Sequence, residues 1–299
     1  MIKLNKIKNK IVCIYGPTAS YKTKFAISLA KRLNGIVINA DSMQLYKEMP
    51  ILTSHPTIQE QNIVPHKMYN ILNITSHYSV FKWIKSAIKE IEKSKKKELC
   101  PILVGGTGLY FSSLISGIAI IPKISQETKQ KVYNLIKKNS NRNIHSLLQD
   151  YDYLLAKKIS VNDRIRVIRG LEVIFETGKS IIEWQKHNHT FYDEKQFANI
   201  YICPDRDKLY FNINKRVLEM MHLGVENEVN RIINKYAICD LPKVLGLKTI
   251  HEFIIGRIEY AEMILQIQRI TRNYAKKQLT WFNNKLKHNY VISDFSAVF

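Results

Sequence analysis

The sequence predicts an α/β protein: a parallel sheet covered on both faces by helices, with a helical insertion and long C-terminal helices. Three observations predict it. From Lys10 to about Pro122, short continuous apolar runs such as "IVCIY" and "CPILV" alternate with amphipathic stretches, the pattern of strands buried on both faces. Glycine and proline are absent between Pro122 and Gly170, where every pattern is helical. A last strand-like run, "FANIYICPDR", is then followed by long helical patterns.

The elements follow in order. "KIVCIYG" reads as a short buried strand. "TKFAISLAKRL" sets Phe25, Leu29 and Leu33 on one helical face, and Asn34-Gly35 ends that helix. "GIVINADS" is a second strand, ending in Asp41; "FKWIKSAIKEIEKSKKKE" is an amphipathic helix with a lysine-rich exposed side; "CPILVGGTG" is a third buried strand that breaks into a glycine turn. "SQETKQKVYNLIKKN", "NIHSLLQDYDYLLAKKI" and "NDRIRVIRGLEVIFETG" are helical, with Asn162 the expected N-cap of the last. After the returning strand come "DKLYFNINKRVLEMMHLG", "VENEVNRIINKYA" and "YAEMILQIQRITRNYAKKQLTWFNNKL", again helical. In the last of these Met263, Ile267, Ile270, Tyr274 and Trp281 form the expected core stripe. Composition thus divides the chain at 1–122, 123–195 and 196–299: a first part of the core, a helical insertion and a second part of the core.

Hydrophobic residues make up 45% of the 299, enough for a packed core, and formal net charge is +21. That charge exceeds what solubility needs and points to a polyanionic partner, nucleic acid first; a general compositional bias to lysine accounts for part of it. Cys13, Cys100, Cys203 and Cys239 are scattered without metal-ligand or redox spacing, which suits reduced thiols. The basic N-terminus leads straight into a strand, and no run of about 18 apolar residues occurs, so a cytoplasmic protein without a membrane span is expected.

Chemistry gathers at strand ends. "GPTASYKT", Gly16 to Thr23, lies between a strand and a helix and matches G-x-x-x-x-G-K-[ST] except for Tyr21 in place of glycine. Such a turn aims backbone N–H groups and the helix dipole at one anion. Lys22 would reach terminal phosphates and Thr23 could ligate Mg²⁺. The plain alternative is a strand-helix turn with a chance Lys-Thr pair. In "NADSMQLY", Asp41 is a candidate general base or a helix cap. In "VGGTGLY", Thr107 would present its hydroxyl near Asp41, or merely cap a helix. Arg164, Arg166 and Arg169 crowd the first turns of a helix, against its dipole, which suits an outside phosphate; pairing with Asp163 or Glu172 is the alternative. Arg269, Arg272 and Lys276 form a basic stripe suited to a nucleic-acid groove, or a solvated face.

Together these motifs resemble one family, the tRNA dimethylallyltransferases, or tRNA isopentenyltransferases. "GPTASYKT", "INADSMQLYKEM", "VPHKMYNIL", "PILVGGTGLYFSSLISG", "NDRIRVIRGLEV", "DRDKLYFNINKRVLEM" and "TRNYAKKQLTWF" occur in family order over nearly the whole chain. The resemblance implies a P-loop kinase-like core with a tRNA-gripping helical insertion. It implies transfer of a dimethylallyl group from its diphosphate to N6 of the adenosine 3′ of the anticodon. By the family's pattern Asp41 accepts the N6 proton and Thr107 binds near the reacting groups. Gly16, Thr18, Ala19, Ser20, Tyr21, Lys22, Thr23 and Arg206 hold diphosphate, with Mg²⁺ at Thr23. By the same pattern Asp41, Ser42, Met43, Gln44, Thr107, Lys129, Arg164, Arg166 and Arg169 face the tRNA anticodon stem-loop, and the basic stripe Arg269, Arg272 and Lys276 would line the groove for that RNA. A monomer is expected. The chain departs from the pattern at Tyr21, Leu52, His55, Asn70, Asn73 and Ile165. Two rival readings are a P-loop small-molecule kinase, which needs neither the insertion nor the basic helix, and a tRNA-binding relative whose loop has decayed at Tyr21.

Overall fold

The computed structural model describes residues 3–141 and 143–294. These form two compact units: one holds the described residues through Ile115 together with those from Tyr192 onward, the other Ser116–Phe191. The first unit opens with β1 (Ile11–Tyr15), α1 (Lys22–Leu33), β2 (Gly35–Asn39), α2 (Ile58–Ile63), β3 (His66–Lys67), α3 (Val80–Lys96), β4 (Cys100–Gly105) and α4 (Gly108–Ile115). The second unit contains α5 (Gln126–Lys138), α6 (Ile144–Tyr151), α7 (Tyr153–Ala156), α8 (Arg164–Thr177) and α9 (Ile181–Gln185). The chain then returns to the first unit with β5 (Phe197–Ile202), α10 (Arg206–His222), α11 (Val225–Ile233), α12 (Leu247–Ile254), α13 (Tyr260–Lys285) and β6 (Tyr290–Ile292).

The six strands lie in the order β3-β2-β4-β1-β5-β6, and every neighbouring pair is parallel. In the central register Cys13 faces Leu103 of β4 on one side and Asn199 of β5 on the other. Alternate residues explain the continuous apolar runs. Val12, Ile14, Ile102, Val104 and Ile200 pack with Phe25, Leu29 and Leu33 of α1. The other face is aromatic: the Tyr15 ring stands 5.1 Å from Phe111 of α4 and 5.2 Å from Phe282 of α13. Both faces of β1 are therefore dry, and all five of its residues are buried.

The short edge strands β3 and β6 and the helices α2 and α12 fall outside the sequence expectation. Two- and three-residue strands carry no period to detect. The stretch "NIHSLLQDYDYLLAKKI" breaks into α6 and α7 at Asp152, whose carboxylate accepts the Leu155 N–H at 3.0 Å. The N-cap of α8 is Asp163, accepting the Arg166 N–H at 3.2 Å, where Asn162 was expected. In α13 the buried stripe runs Met263, Ile267, Thr271, Ala275, Gln278, Phe282. The expected Ile270, Tyr274 and Trp281 lie beside it, half-buried, because the period of 3.6 carries the stripe one residue on after Ile267. In the second unit Val132, Leu148, Leu155, Val167 and Leu171 form a separate core. Among the described residues no helix is long and apolar enough to cross a membrane, and all four cysteines are free.

Candidate active site

The loops that follow β1, β2 and β4 leave the carboxyl edge of the sheet side by side, the edge where parallel sheets place ligands. A Cβ on Gly16 would collide with the Ile202 carbonyl of β5, so only glycine lets the first loop leave between the strands. That loop turns through two left-handed residues, Ala19 (φ 59°) and Tyr21 (φ 58°). Tyr21 itself adopts the conformation that favours glycine, so the turn is kept without one. Its hydroxyl lies 3.3 Å from Asn212 Oδ1 of α10, and Lys24 Nζ stands 5.4 Å over its ring. These contacts offset the strain of a non-glycine there, on the order of 1–2 kcal/mol. Tyr21 also supplies no side-chain cap to α1, so the first-turn N–H groups of that helix are left for a ligand. Tyr21→Gly is therefore expected to leave activity within about threefold and stability within about 1 kcal/mol, strain relief and lost contacts cancelling. Steady-state kinetics and thermal unfolding check this; a large gain in activity would show that the tyrosine distorts the loop.

Lys22 Nζ donates to the Pro17 carbonyl of its own loop and lies 3.4 Å from Ser20 Oγ. Burial pushes its pKa down to about 8, Asp41 acts against the shift and Arg216 adds to it. Gln278 of α13 ties two loops together: its Oε1 accepts the Thr18 N–H at 2.8 Å and its Nε2 donates to the Gly106 carbonyl at 2.9 Å.

Asp41 stands two residues beyond β2. Its Oδ1 accepts the Met43 N–H at 3.0 Å and its Oδ2 the Gly106 N–H at 3.2 Å. Asn39 Oδ1 accepts the Asp41 N–H at 2.8 Å, fixing the backbone beneath it. A Cβ on Gly106 would lie 3.1 Å from Asp41 Oδ2 and against the Gln278 amide. Thr107 reaches the same turn through Ser42: its Oγ1 accepts the Ser42 N–H at 2.9 Å and donates to Ser42 Oγ at 3.2 Å. Each Asp41 oxygen keeps a lone-pair direction free, so the carboxylate can still accept a proton.

A cavity of about 630 Å³ lies between the first loop and Asp41; Ser42 and Thr107 stand behind Asp41, outside the cavity lining. Thr18, Ala19, Ser20, Tyr21, Lys22 and Thr23 line one end, and Asp41, Met43 and Gln44 line its wall. Gln44 is held by donating to the Thr53 and Ser54 carbonyls at 3.1 and 2.7 Å. The apolar part of the lining comes from Leu52, Val104, Val244 and Leu245. Buried Glu228 holds that wall by accepting the Ile51 and Leu52 N–H groups, both at 2.9 Å. His55 also lines the cavity, and burial pushes its imidazole down to about 4, so it is neutral.

Arg216, unforeseen in the sequence, is the second half-buried cation of the cavity beside Lys22; the other lining cations, Lys24, Lys215 and Lys243, are exposed. Its guanidinium donates to Thr18 Oγ1, and burial lowers its pKa while Asp41 acts against the shift. Arg206, expected at the diphosphate, is exposed at the start of α10 with its guanidinium 5.3 Å over the Tyr210 ring, and it is absent from the cavity lining. Ten residues at 100° each place the two arginines about 80° apart around α10, so they cannot serve one spot. The signal was helical: Arg216 follows the buried Leu209 and Ile213 by seven and three residues, on the edge of the buried face.

The remaining expected residues divide between the units. Lys129 and Arg164 line a groove of about 520 Å³ in the second unit, floored by Val132, Ile136, Leu147 and Ile168. Arg166 pairs with Asp163 at 2.9 Å and Arg169 with Glu172 at 3.6 Å, the local pairing weighed as the alternative; such exposed pairs contribute little stability. Arg269 is exposed on α13, and Arg272 donates to Asn214 Oδ1 at 2.7 Å. Among the described residues no group of three or more His, Cys, Asp or Glu could hold a metal ion by itself. The Thr23 hydroxyl, on the cavity wall with the Asp41 carboxylate, offers hard oxygen only, so a divalent cation would fit there if phosphate oxygens completed its shell.

The chain is similar to known proteins over nearly its whole length. A family model described as IPP transferase matches residues 44–285, and one described as isopentenyl transferase matches residues 9–75. The chain is 38% identical to a tRNA dimethylallyltransferase of Rickettsia conorii, covering 95% of this chain and 79% of that one. It is 36% identical to one of Pelagibacter ubique, covering 93% and 90%. Among solved structures it is similar to a full-length tRNA isopentenylpyrophosphate transferase of Bacillus halodurans, with TM-score 0.69, 33% identity and coverage of 96% and 92%. It is also similar to a eukaryotic dimethylallyltransferase acting on tRNA, with TM-score 0.81, 25% identity and coverage of 97% and 75%.

Proposed function

This chain belongs to the IPP transferase family, and on that premise we propose that it transfers a dimethylallyl group from dimethylallyl diphosphate to N6 of the adenosine 3′-adjacent to the anticodon of tRNA. The observation that carries the reading is one cavity that brings together a phosphate-binding turn, the half-buried cations Lys22 and Arg216 and the Asp41 carboxylate.

The diphosphate lies against the first-turn amides of α1, Lys22 and Arg216, and the five-carbon group extends toward Leu52, Val104, Val244 and Leu245. The N6 nitrogen attacks the allylic carbon as the carbon–oxygen bond to diphosphate breaks. Both bonding electrons leave with the diphosphate, and Asp41 takes the N6 proton. Lys22 and Arg216 balance the charge that grows on the departing oxygens. Thr107 acts through Ser42, holding the turn that carries Asp41. Mg²⁺ bound at Thr23 would neutralise diphosphate charge. The adenine must leave its stack to reach Asp41, at a cost met by contacts elsewhere on the RNA. Lys129 and Arg164 at the groove of the helical unit, and the basic face of α13, are suited to those contacts. A tRNA substrate accords with the net charge of +21, and an enzyme acting on it would work in the cytoplasm.

The test is incubation with labelled dimethylallyl diphosphate and tRNA lacking the modification. Label is expected at N6 of the adenosine next to the anticodon, with free diphosphate released. ATP turnover without RNA labelling would establish the kinase reading instead.

A further inference from the structure

We propose that Gln278 is a positioning residue for the transfer: its amide fixes the spacing between the cradle of the leaving diphosphate and the turn that holds Asp41. The inference rests on the transfer reading above and adds a residue that acts through others. The two halves of the reaction stand on separate loops. The leaving-group contacts come from the loop after β1 and from α10. The base comes from the turn after β2, braced by the turn after β4. Among the described residues no hydrogen bond joins residues 17–23 directly to residues 40–44 or 106–107. Gln278 spans the gap from α13. Its Oε1 accepts the Thr18 N–H at 2.8 Å and its Nε2 donates to the Gly106 carbonyl at 2.9 Å. Each end is one bond from the chemistry: the Thr18 hydroxyl accepts from Arg216, and the Gly106 N–H donates to Asp41 Oδ2 at 3.2 Å. A chain of contacts therefore runs from Arg216 through Thr18, Gln278 and Gly106 to Asp41.

The packing leaves that amide little freedom. Gln278 is 6% exposed and lies in the buried stripe of α13 between Ala275 and Phe282, which are fully buried. A Cβ on Gly106 would come within 2.5 Å of Gln278 Nε2, so the turn after β4 meets the amide at a distance only glycine allows. Turning the amide would leave the Thr18 N–H and the Gly106 carbonyl without their partner, which holds it in place. A buried amide is a costly choice in a helix stripe that an apolar side chain would fill without polar atoms to satisfy. What it joins accounts for its presence. The spacing matters because attack by N6, departure of diphosphate and removal of the proton engage both loops at once. A shift of about 1 Å between reacting groups costs on the order of 10²-fold in rate.

The test uses two variants of the full chain. Gln278→Met keeps the length of the side chain and loses both hydrogen bonds; Gln278→Asn keeps the amide but is one methylene too short to reach both loops. Transfer is timed in single turnovers at saturating enzyme, and the KM for each substrate and thermal unfolding are measured on the same samples. At saturating enzyme the rate constant does not depend on the fraction folded, so a variant that folds poorly is still read. Both variants are expected to lower the rate constant about 30- to 100-fold, with the KM for dimethylallyl diphosphate and for tRNA within about threefold of wild type. A rate constant within about threefold of wild type, with only a lower unfolding temperature, makes Gln278 a structural residue and overturns the inference. A loss confined to the KM for dimethylallyl diphosphate also overturns it, placing the amide in diphosphate binding alone. A wild-type chain that labels no RNA defeats the transfer reading and this inference with it; a wild-type chain that labels RNA beside unaffected variants defeats the inference alone.

Discussion

Asp41→Asn is expected to lower kcat by about 10³-fold while tRNA and donor still bind. The loss follows from the balance of the reaction: N6 cannot keep both its hydrogens and the new carbon without becoming cationic. Among the described residues three carboxylates line the cavity; Glu60 is taken up in the Thr57 cap and Glu219 pairs with Lys215 at 3.8 Å, which leaves Asp41 to take the proton. The substitution is not structurally silent. Both carboxylate oxygens accept backbone N–H groups, from Met43 and Gly106. An amide must turn its NH₂ toward one of them, which costs on the order of 1–3 kcal/mol. The measurement therefore pairs single-turnover transfer with thermal unfolding and tRNA binding on the same sample. Transfer that persists within tenfold of wild type would remove Asp41 from the proton's path. Loss of tRNA binding in step with transfer would show that the side chain only supports the loop.

Arg216→Gln is expected to reduce kcat/KM for the donor by about 10²–10³-fold, chiefly through a higher donor KM, whereas Arg206→Gln leaves donor KM unchanged. The same variant has a signature in pH. Lys22, with its pKa lowered to about 8, is charged below that pH, so donor binding to the free enzyme is strongest there and falls as pH rises through about 8. Arg216 contributes to that lowering by repulsion. Removing the guanidinium therefore moves the alkaline limb of kcat/KM for the donor upward even as the rate itself drops. A profile that loses rate without shifting would separate Arg216 from Lys22, and an unaffected donor KM would remove Arg216 from the diphosphate site. The opposing directions of rate and limb distinguish this outcome from a general loss of folded protein.

The tyrosine in "GPTASYKT" shows how far a motif can be read. The motif identifies a turn that needs a left-handed residue; it does not say whether tyrosine can be that residue. The tertiary structure supplies Asn212 from α10 and the neighbouring Lys24, which make the conformation affordable for an aromatic side chain. Arg206 and Arg216 show the reverse. Both lie in one helical motif, but only the angle of α10 against the sheet decides which one enters the cavity.

By itself the sequence determined the alternation of buried strands and covering helices, the helical insertion, and the three strand-end motifs that carry the chemistry. These are local: hydrophobic period, glycine placement and turn residues act over a few positions along the chain. Only the tertiary structure decided which side chains share a space. It placed Gln278, 260 residues from Thr18, on that residue's N–H, set Glu228 on the backbone of Ile51 and Leu52, and gathered Arg206, Arg272 and Lys276 about Tyr210. Such convergences depend on the crossing of helices distant in sequence, and neither residue of a pair carries a local mark of its partner.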